Sequence, residues 1–246
     1  MLTYMKKNGD ISRIYLNRPE KKNALSPALI LELHKCIDTL KDDSSSKIVI
    51  IEGVGDVFCA GMDLKNVISI PDKMAKMLTD LARLTYKIRH LKQLTIAKVQ
   101  GAAIGGGCGF MAVCDFAWTH PEAKIGYPEV SLGVCPAVVA PWLIKKIGIG
   151  QARSILLQGG TFTGDTAYKI GLATHISENE VLEDSIIKFA NKLTEGCDNA
   201  IQITKNWLNK LDGSYDEKVL LEAAELSAKV INTKQTQDRL KKLYGN

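Results

Sequence analysis

Gln100-Gly101-Ala102-Ala103-Ile104-Gly105-Gly106-Gly107-Cys108-Gly109-Phe110-Met111-Ala112 is the stretch whose reading decides the fold. Before it, Thr95-Ile96-Ala97-Lys98-Val99 reads as a short strand. After it, Phe110-Met111-Ala112-Val113-Cys114 is small and apolar and reads as the start of a helix. Strand, glycines and helix in that order turn backbone N–H groups outward at a positive helix end. Such a place binds an anion or an oxygen on which negative charge develops. Glycine lets a ligand approach the backbone closely there. Tight helix–sheet packing accounts for one or two glycines, but not for Gly105-Gly106-Gly107.

Dinucleotide binding is one rival. Gly107-Cys108-Gly109-Phe110-Met111-Ala112 matches G-x-G-x-x-A, but the fingerprint should begin directly after its strand. Here Gly101 to Gly106 intervene, and Glu129 follows a proline instead of ending a strand. A phosphate loop of the G-K-[ST] type is absent. A second stretch, Phe58-Cys59-Ala60-Gly61-Met62-Asp63-Leu64, also leaves a strand and heads for a helix. Two N–H donors from two such loops converging on one oxygen form an oxyanion hole.

The rest of the chain frames these loops. Leu2–Lys7 and Ile11–Asn17 read as strands around the Asn8-Gly9 turn. Ser26 as N-cap and Pro27 at the first helical position open a helix with the stripe Leu29, Leu33, Ile37 and Leu40. Lys47–Glu52 is a β-branched strand, and a long helix begins at Pro71. Asp115–Thr119 reads as a strand and Lys124–Val130 as extended. Pro136–Ile147 reads as a helix kinked or broken at Pro141. Short helices about Gln151–Gln158 and Thr166–Gly171 lead to a last strand, Ala173–Ile176. About Leu182–Thr194, Cys197–Leu211 and Asp216–Asn232 are helical, followed by a polar tail. Alternation up to about residue 176, then helices alone, predicts an α/β fold with a largely parallel sheet and a C-terminal helical subdomain.

The chain has 246 residues, 46% hydrophobic and 24% charged, with a net charge of +5. Those values are ordinary for a soluble globular protein, and the positive charge suits an acidic small ligand, though a solvated mixed surface explains it better. No apolar run reaches the length of a membrane span, and Met1–Lys6 carries no signal-peptide apolar region, so a cytoplasmic protein is expected. Six scattered cysteines without a C-x-x-C pair, and isolated His34, His90, His120 and His175, predict no metal site. The cysteines read as buried reduced thiols.

Taken together, these stretches resemble the crotonase superfamily, the enoyl-CoA hydratase/isomerase family, over nearly the whole chain. Leu16-Asn17-Arg18-Pro19 with Asn23-Ala24-Leu25-Ser26 is similar to its N-terminal motif. Phe58–Leu64 and Gly105-Gly106-Gly107 resemble its two oxyanion loops. Cys114-Asp115, Pro128-Glu129-Val130-Ser131-Leu132-Gly133-Val134 and Thr161–Gly171 resemble the later landmarks, the last with Gly164 where the signature has alanine. The resemblance implies a spiral of ββα units, an acyl-CoA core over 1–190 and a helical trimerisation subdomain over 191–246. It implies a homotrimer or hexamer and no cofactor, coenzyme A being part of the substrate. It makes Glu129 the catalytic carboxylate and the Ala60 and Gly106 N–H groups the oxyanion donors. Lys22, Ala24, Gly61, Met62, Asp63, Leu64 and Gly109 join Ala60 and Gly106 in the substrate-binding set, the adenosine lying near Lys22–Ala24. Met62, Leu64, Met77, Leu132, Val134 and Trp142 are the apolar candidates for the pocket.

One departure from the family stands out. Its best-known hydratases carry two glutamates, and Gly109 occupies the place of the first. Three single-glutamate readings follow. They are a 3,2-enoyl-CoA isomerase, a hydratase resembling bacterial methylglutaconyl-CoA hydratases, and a carrier-protein-linked dehydratase. Gly109 together with Pro136-Ala137-Val138-Val139-Ala140-Pro141 favours the hydratase. A non-enzymatic reading is RNA binding through Lys205, Lys210, Lys229, Lys234, Arg239, Lys241 and Lys242. These fit a solvated helical surface better, and no nucleic-acid partner is expected.

Overall fold

The Asn8-Gly9 turn joins β1 (Thr3–Asn8) to β2 (Ile11–Leu16) as an antiparallel hairpin. Our computed structural model describes residues 1–66 and 70–244. Helix α1 (Pro27–Asp42) starts as its sequence dictates: the Ser26 hydroxyl accepts from the Leu29 N–H at 3.2 Å, and Leu29, Leu33, Ile37 and Leu40 are buried. Strand β3 (Ile48–Gly53), helix α2 (Pro71–Arg89) and strand β4 (Leu94–Val99) follow. Strand β5 (Ala102–Ile104) then turns out of the main sheet before helix α3 (Gly106–Val113). Strands β6 (Phe116–Thr119) and β7 (Lys124–Gly126) lead to the single turn α4 (Glu129–Leu132). The strand–strand–helix unit recurs, as the expected ββα spiral requires.

Helices α5 (Ala140–Ile147) and α6 (Ile149–Gln158), strand β8 (Thr161–Thr163), helix α7 (Gly164–Lys169) and strand β9 (His175–Ile176) complete the α/β part. The main sheet has the order β1-β2-β3-β4-β6-β9 and is parallel from β2 onward; β5, β7 and β8 form a second, smaller sheet. Helices α8 (Leu182–Thr194), α9 (Asp198–Leu211), α10 (Glu217–Ile231) and α11 (Lys234–Tyr244) close the chain. No described helix is long and apolar enough to cross a membrane.

Several expectations need correction. Pro141 does not kink a helix begun at Pro136; α5 begins at Ala140 and places Pro141 in its first turn, where the missing N–H costs nothing. The tail after Asn232 is helical as far as Tyr244 and buries Leu240 and Thr236. A boundary at residue 190 falls inside α8, where Ala190 is fully buried. Leu220, Ala224, Ala228, Ile231 and Leu240 of the last helices pack into the main core. At Gly164 a Cβ on this backbone would lie 2.0 Å from the His120 carbonyl oxygen.

Lys205 is not part of a solvated basic surface. It is buried, donating to Asp115 Oδ2 at 2.7 Å and to the Gln93 carbonyl at 2.7 Å. Asp115 also accepts from the Thr95 N–H and hydroxyl at 2.8 and 2.9 Å. Burial pushes the Asp115 carboxyl up, but the Lys205 ammonium and the Thr95 N–H pull it down further, leaving it below the usual carboxylate range. The pair ties α9 to the edge of β4. Lys205→Met is expected to leave Asp115 buried with only the more distant Arg89, at 3.9 Å, as its cation and to cost about 3 kcal/mol in urea unfolding. A loss below about 1 kcal/mol would show that water replaces the lysine.

Candidate active site

The two outward-facing loops meet because backbone pairing brings them together. Cys59 bridges to Ala103 in parallel: the Cys59 N–H donates to the Ala102 carbonyl at 3.1 Å, and the Ile104 N–H to the Cys59 carbonyl at 3.0 Å. The pairing is close enough to require glycine. A Cβ on Gly107 would lie 2.6 Å from the Cys59 carbonyl oxygen and 2.9 Å from its Cβ. Gly105 adopts φ +52, and a Cβ there would meet Glu129 Oε1 at 2.8 Å. Helical geometry from Gly106 also disposes of the dinucleotide fingerprint, since Gly107 and Gly109 lie within α3 instead of on a strand–helix turn.

The identity of one N–H donor changes. The Ala60 N–H is taken, donating to the Lys22 carbonyl at 3.0 Å. A second parallel bridge, Leu25↔Met62, decides which group is free. The Leu25 N–H donates to the Gly61 carbonyl at 2.7 Å and the Asp63 N–H to the Leu25 carbonyl at 2.8 Å. Alternation then turns the Met62 N–H away from Leu25, and it has no acceptor among the described residues. On the other loop the Gly105 N–H donates to the Gly126 carbonyl at 2.9 Å, so Gly106 offers the first open N–H of α3. Met62 and Gly106, not Ala60 and Gly106, are the free pair.

A cavity of about 140 Å³ lies between these loops, α2, the 128–139 segment and α10. One water needs ~10–15 Å³ on this measure, so the space takes a small organic group as well as water. Ala60, Gly61, Met62, Leu64, Gly106 and Glu129 all line it. Lys22 and Ala24 lie beside the loop, outside the cavity, and Lys22 is exposed. Asp63 faces Arg18 at 2.7 Å, and Arg18 also donates to the Ala24 carbonyl at 2.9 Å. Asp63 therefore staples two loops together. Gly109 does not line the cavity: Val139 does, and a Cβ on Gly109 would sit 3.0 Å from Val139 Cγ1. A side chain at 109 would have to displace Val139.

Of the apolar candidates, Met62, Leu64, Leu132 and Val134 line the cavity. Met77 is buried in the core. Trp142 lines a larger apolar groove beyond Val134–Pro136, its Nε1–H donating to Thr85 at 2.9 Å. Val139 and Ser227 are lining residues that sequence reasoning missed. Val139 lies within the Pro136–Pro141 stretch, which gave no sign of a lining role, and Ser227 comes from a helix without a motif; tertiary packing brings both here.

Glu129 stands at the start of α4, not on an extended segment. It is the one carboxylate among the described lining residues, and its Oε2 is buried without a partner. Burial pushes its pKa up to about 7. Residues beyond it bond to the last helices: Thr236 donates to the Gly133 carbonyl at 2.7 Å and Ser227 to the Cys135 carbonyl at 3.0 Å. A carboxylate with a pKa near neutrality can take and return a proton. Two free N–H groups on residues that line the same cavity can hold an oxygen that gains charge.

The family model of enoyl-CoA hydratase/isomerase matches residues 6–244. The chain belongs to the enoyl-CoA hydratase/isomerase family. The crotonyl-CoA hydratase of Syntrophomonas wolfei is 29% identical over 223 residues, covering 89% of this chain and 86% of that protein. The hydroxycinnamoyl-CoA hydratase-lyase of Pseudomonas fluorescens is 31% identical over 192 residues, covering 75% and 70%. The crystal structure of an enoyl-CoA hydratase from Bacillus halodurans superposes with a TM-score of 0.91 at 25% identity, covering 98% of this chain and all of that one. Within the described residues, no group of three or more His, Cys, Asp or Glu side chains suits a metal. All six cysteines are free thiols.

Proposed function

We propose that the protein is an enoyl-CoA hydratase that adds water reversibly across the 2,3 double bond of an acyl-CoA, with Glu129 as its single acid–base group. One observation carries the reading: a mainly apolar cavity is lined both by one carboxylate with an unsatisfied oxygen and by the residues of the free Met62 and Gly106 N–H groups. The thioester oxygen sits between these two donors, each worth about 2.7–4 kcal/mol of barrier. Glu129 takes a proton from water as its oxygen bonds to C3, and then gives a proton to C2. The exposed Lys22 beside the 60–64 loop suits the phosphates of the CoA moiety. No redox or metal cofactor enters this scheme.

The acyl group is proposed to be short and uncharged. The described lining contains no Lys, Arg or His, so the distal carboxylate of a methylglutaconyl group finds no counter-ion in the cavity. Isomerisation of a 3-enoyl thioester is the second reading, favoured by the absence of a second carboxylate at Gly109. Product analysis with crotonyl-CoA, methylglutaconyl-CoA and a cis-3-enoyl-CoA tests the choice. Hydrated crotonyl-CoA is expected. Isomerisation of the 3-enoyl substrate without hydration of either 2-enoyl substrate would replace hydratase by isomerase.

The carboxylate is the active form in the hydration direction. With a pKa near 7, kcat/KM is expected to rise about tenfold per pH unit below 7 and to level off above it. A flat profile between pH 5 and 8 would remove Glu129 from the proton-transfer step.

A homotrimer, or a dimer of trimers, is also proposed. One face of α9 carries the exposed apolar residues Ile203, Trp207 and Leu211, four residues apart. Sedimentation at micromolar concentration is expected to give three or six copies, and a monomer would contradict it.

A further inference from the structure

We propose that Ser227 of α10 is the second holder of the attacking water, doing the work that a carboxylate at position 109 would otherwise do. This rests on the hydratase reading. A water poised to attack C3 presents a lone pair to carbon and has two protons to place. Glu129 takes one. The other must meet an acceptor or point into an apolar wall, and a buried donor without a partner is costly.

The cavity offers few side-chain acceptors. Among the described lining residues Glu129 has the one carboxylate, Ser227 the one hydroxyl and Cys135 the one thiol. A thiol is a weak acceptor. The Gly109 side is closed by Val139. Ser227 is 1% exposed and donates its hydroxyl proton to the Cys135 carbonyl at 3.0 Å. That bond commits the proton and leaves the oxygen lone pairs as acceptors. A serine within a helix commonly bonds back to its own preceding turn. Ser227 reaches across to another segment instead, which fixes its oxygen at the cavity wall. The hydroxyl transfers no proton; it orients the water whose proton passes to Glu129.

The test separates water addition from proton transfer at C2. Glu129 and the two N–H donors suffice to exchange the C2 protons of a saturated acyl-CoA in D2O, and that exchange needs no attacking water. Ser227→Ala is expected to lower the kcat for hydration of crotonyl-CoA by roughly ten- to hundredfold. Exchange of the C2 protons of butyryl-CoA and the KM for crotonyl-CoA are expected to stay within about twofold. Ser227→Cys, nearly isosteric, is expected to behave like the alanine variant and carries the test if that variant unfolds. Undiminished hydration in both variants overturns the proposal. So does a parallel loss of hydration and exchange, which would assign Ser227 to holding the Cys135 segment in place. If the wild-type protein exchanges C2 protons but adds no water, the hydratase reading fails and this proposal with it. Wild-type hydration that survives both substitutions defeats the proposal alone.

Discussion

Glu129→Gln is expected to lower turnover of an enoyl-CoA substrate by about 10²–10⁴-fold while acyl-CoA binding, measured by calorimetry, changes little. The amide keeps the volume and some of the hydrogen bonding of the carboxyl group, but it cannot cycle a proton. The same substitution has a signed effect on stability. The carboxyl pKa stands at about 7 in the folded protein against an ordinary 4.5, because burial disfavours its charged form. The folded state therefore holds this proton more tightly than the unfolded chain does. The cost of charging Glu129 appears as pH rises from 4.5 through 7 and is fully present above 7. Glu129→Gln is thus expected to raise stability over wild type at pH 8, by at most about 3 kcal/mol, and to gain little near pH 4. A variant no more stable than wild type at pH 8 would mean that the carboxylate is solvated. Lost activity with gained stability is the signature of a group placed for chemistry.

Gly107→Ala is the second large effect. Its Cβ would come 2.6 Å from the Cys59 carbonyl oxygen, a backbone atom held by its bond from the Ile104 N–H. The two loops that supply Met62 and Gly106 must separate, and misplacement by about 1 Å can cost about 10²-fold in rate. Turnover is expected to fall by about that factor, with destabilisation of about 1–3 kcal/mol from overpacking. Gly150→Ala is the matched control. A Cβ there meets nothing within 4 Å in α6, so activity should hold and stability should rise by a few tenths to about 1 kcal/mol. Full activity in Gly107→Ala would show that the loop geometry tolerates movement.

The elements that local chemistry controls were legible before any coordinates. Ser26-Pro27 and the Leu29–Leu40 stripe marked α1, and β-branched runs marked β3 and β4. The glycine cluster marked the loop it forms. What could not be read depended on partners distant in sequence. Strand β5 is three residues long and is set by pairing with β7 and Cys59. The choice of Met62 over Ala60 depends on a bridge to Leu25, because a parallel pairing turns alternate N–H groups to opposite sides. Nothing within Phe58–Leu64 reports that register. Helix α11 is polar in composition and reads from sequence as a tail, yet Leu240 is buried in the core and Thr236 bonds to the Gly133 carbonyl just after α4. Gly109 announced a missing carboxylate. Only the packing of Val139 against it shows that a side chain there would have to push Val139 aside.

The most direct measurement is a product analysis of crotonyl-CoA incubated in oxygen-18 water with wild-type protein and with Glu129→Gln. The expected result is a 3-hydroxyacyl-CoA carrying one oxygen-18 with wild type, and at least a hundredfold less of it with the variant. Equal label incorporation by the two proteins would contradict the account, because water addition would then not need the one carboxylate in the cavity.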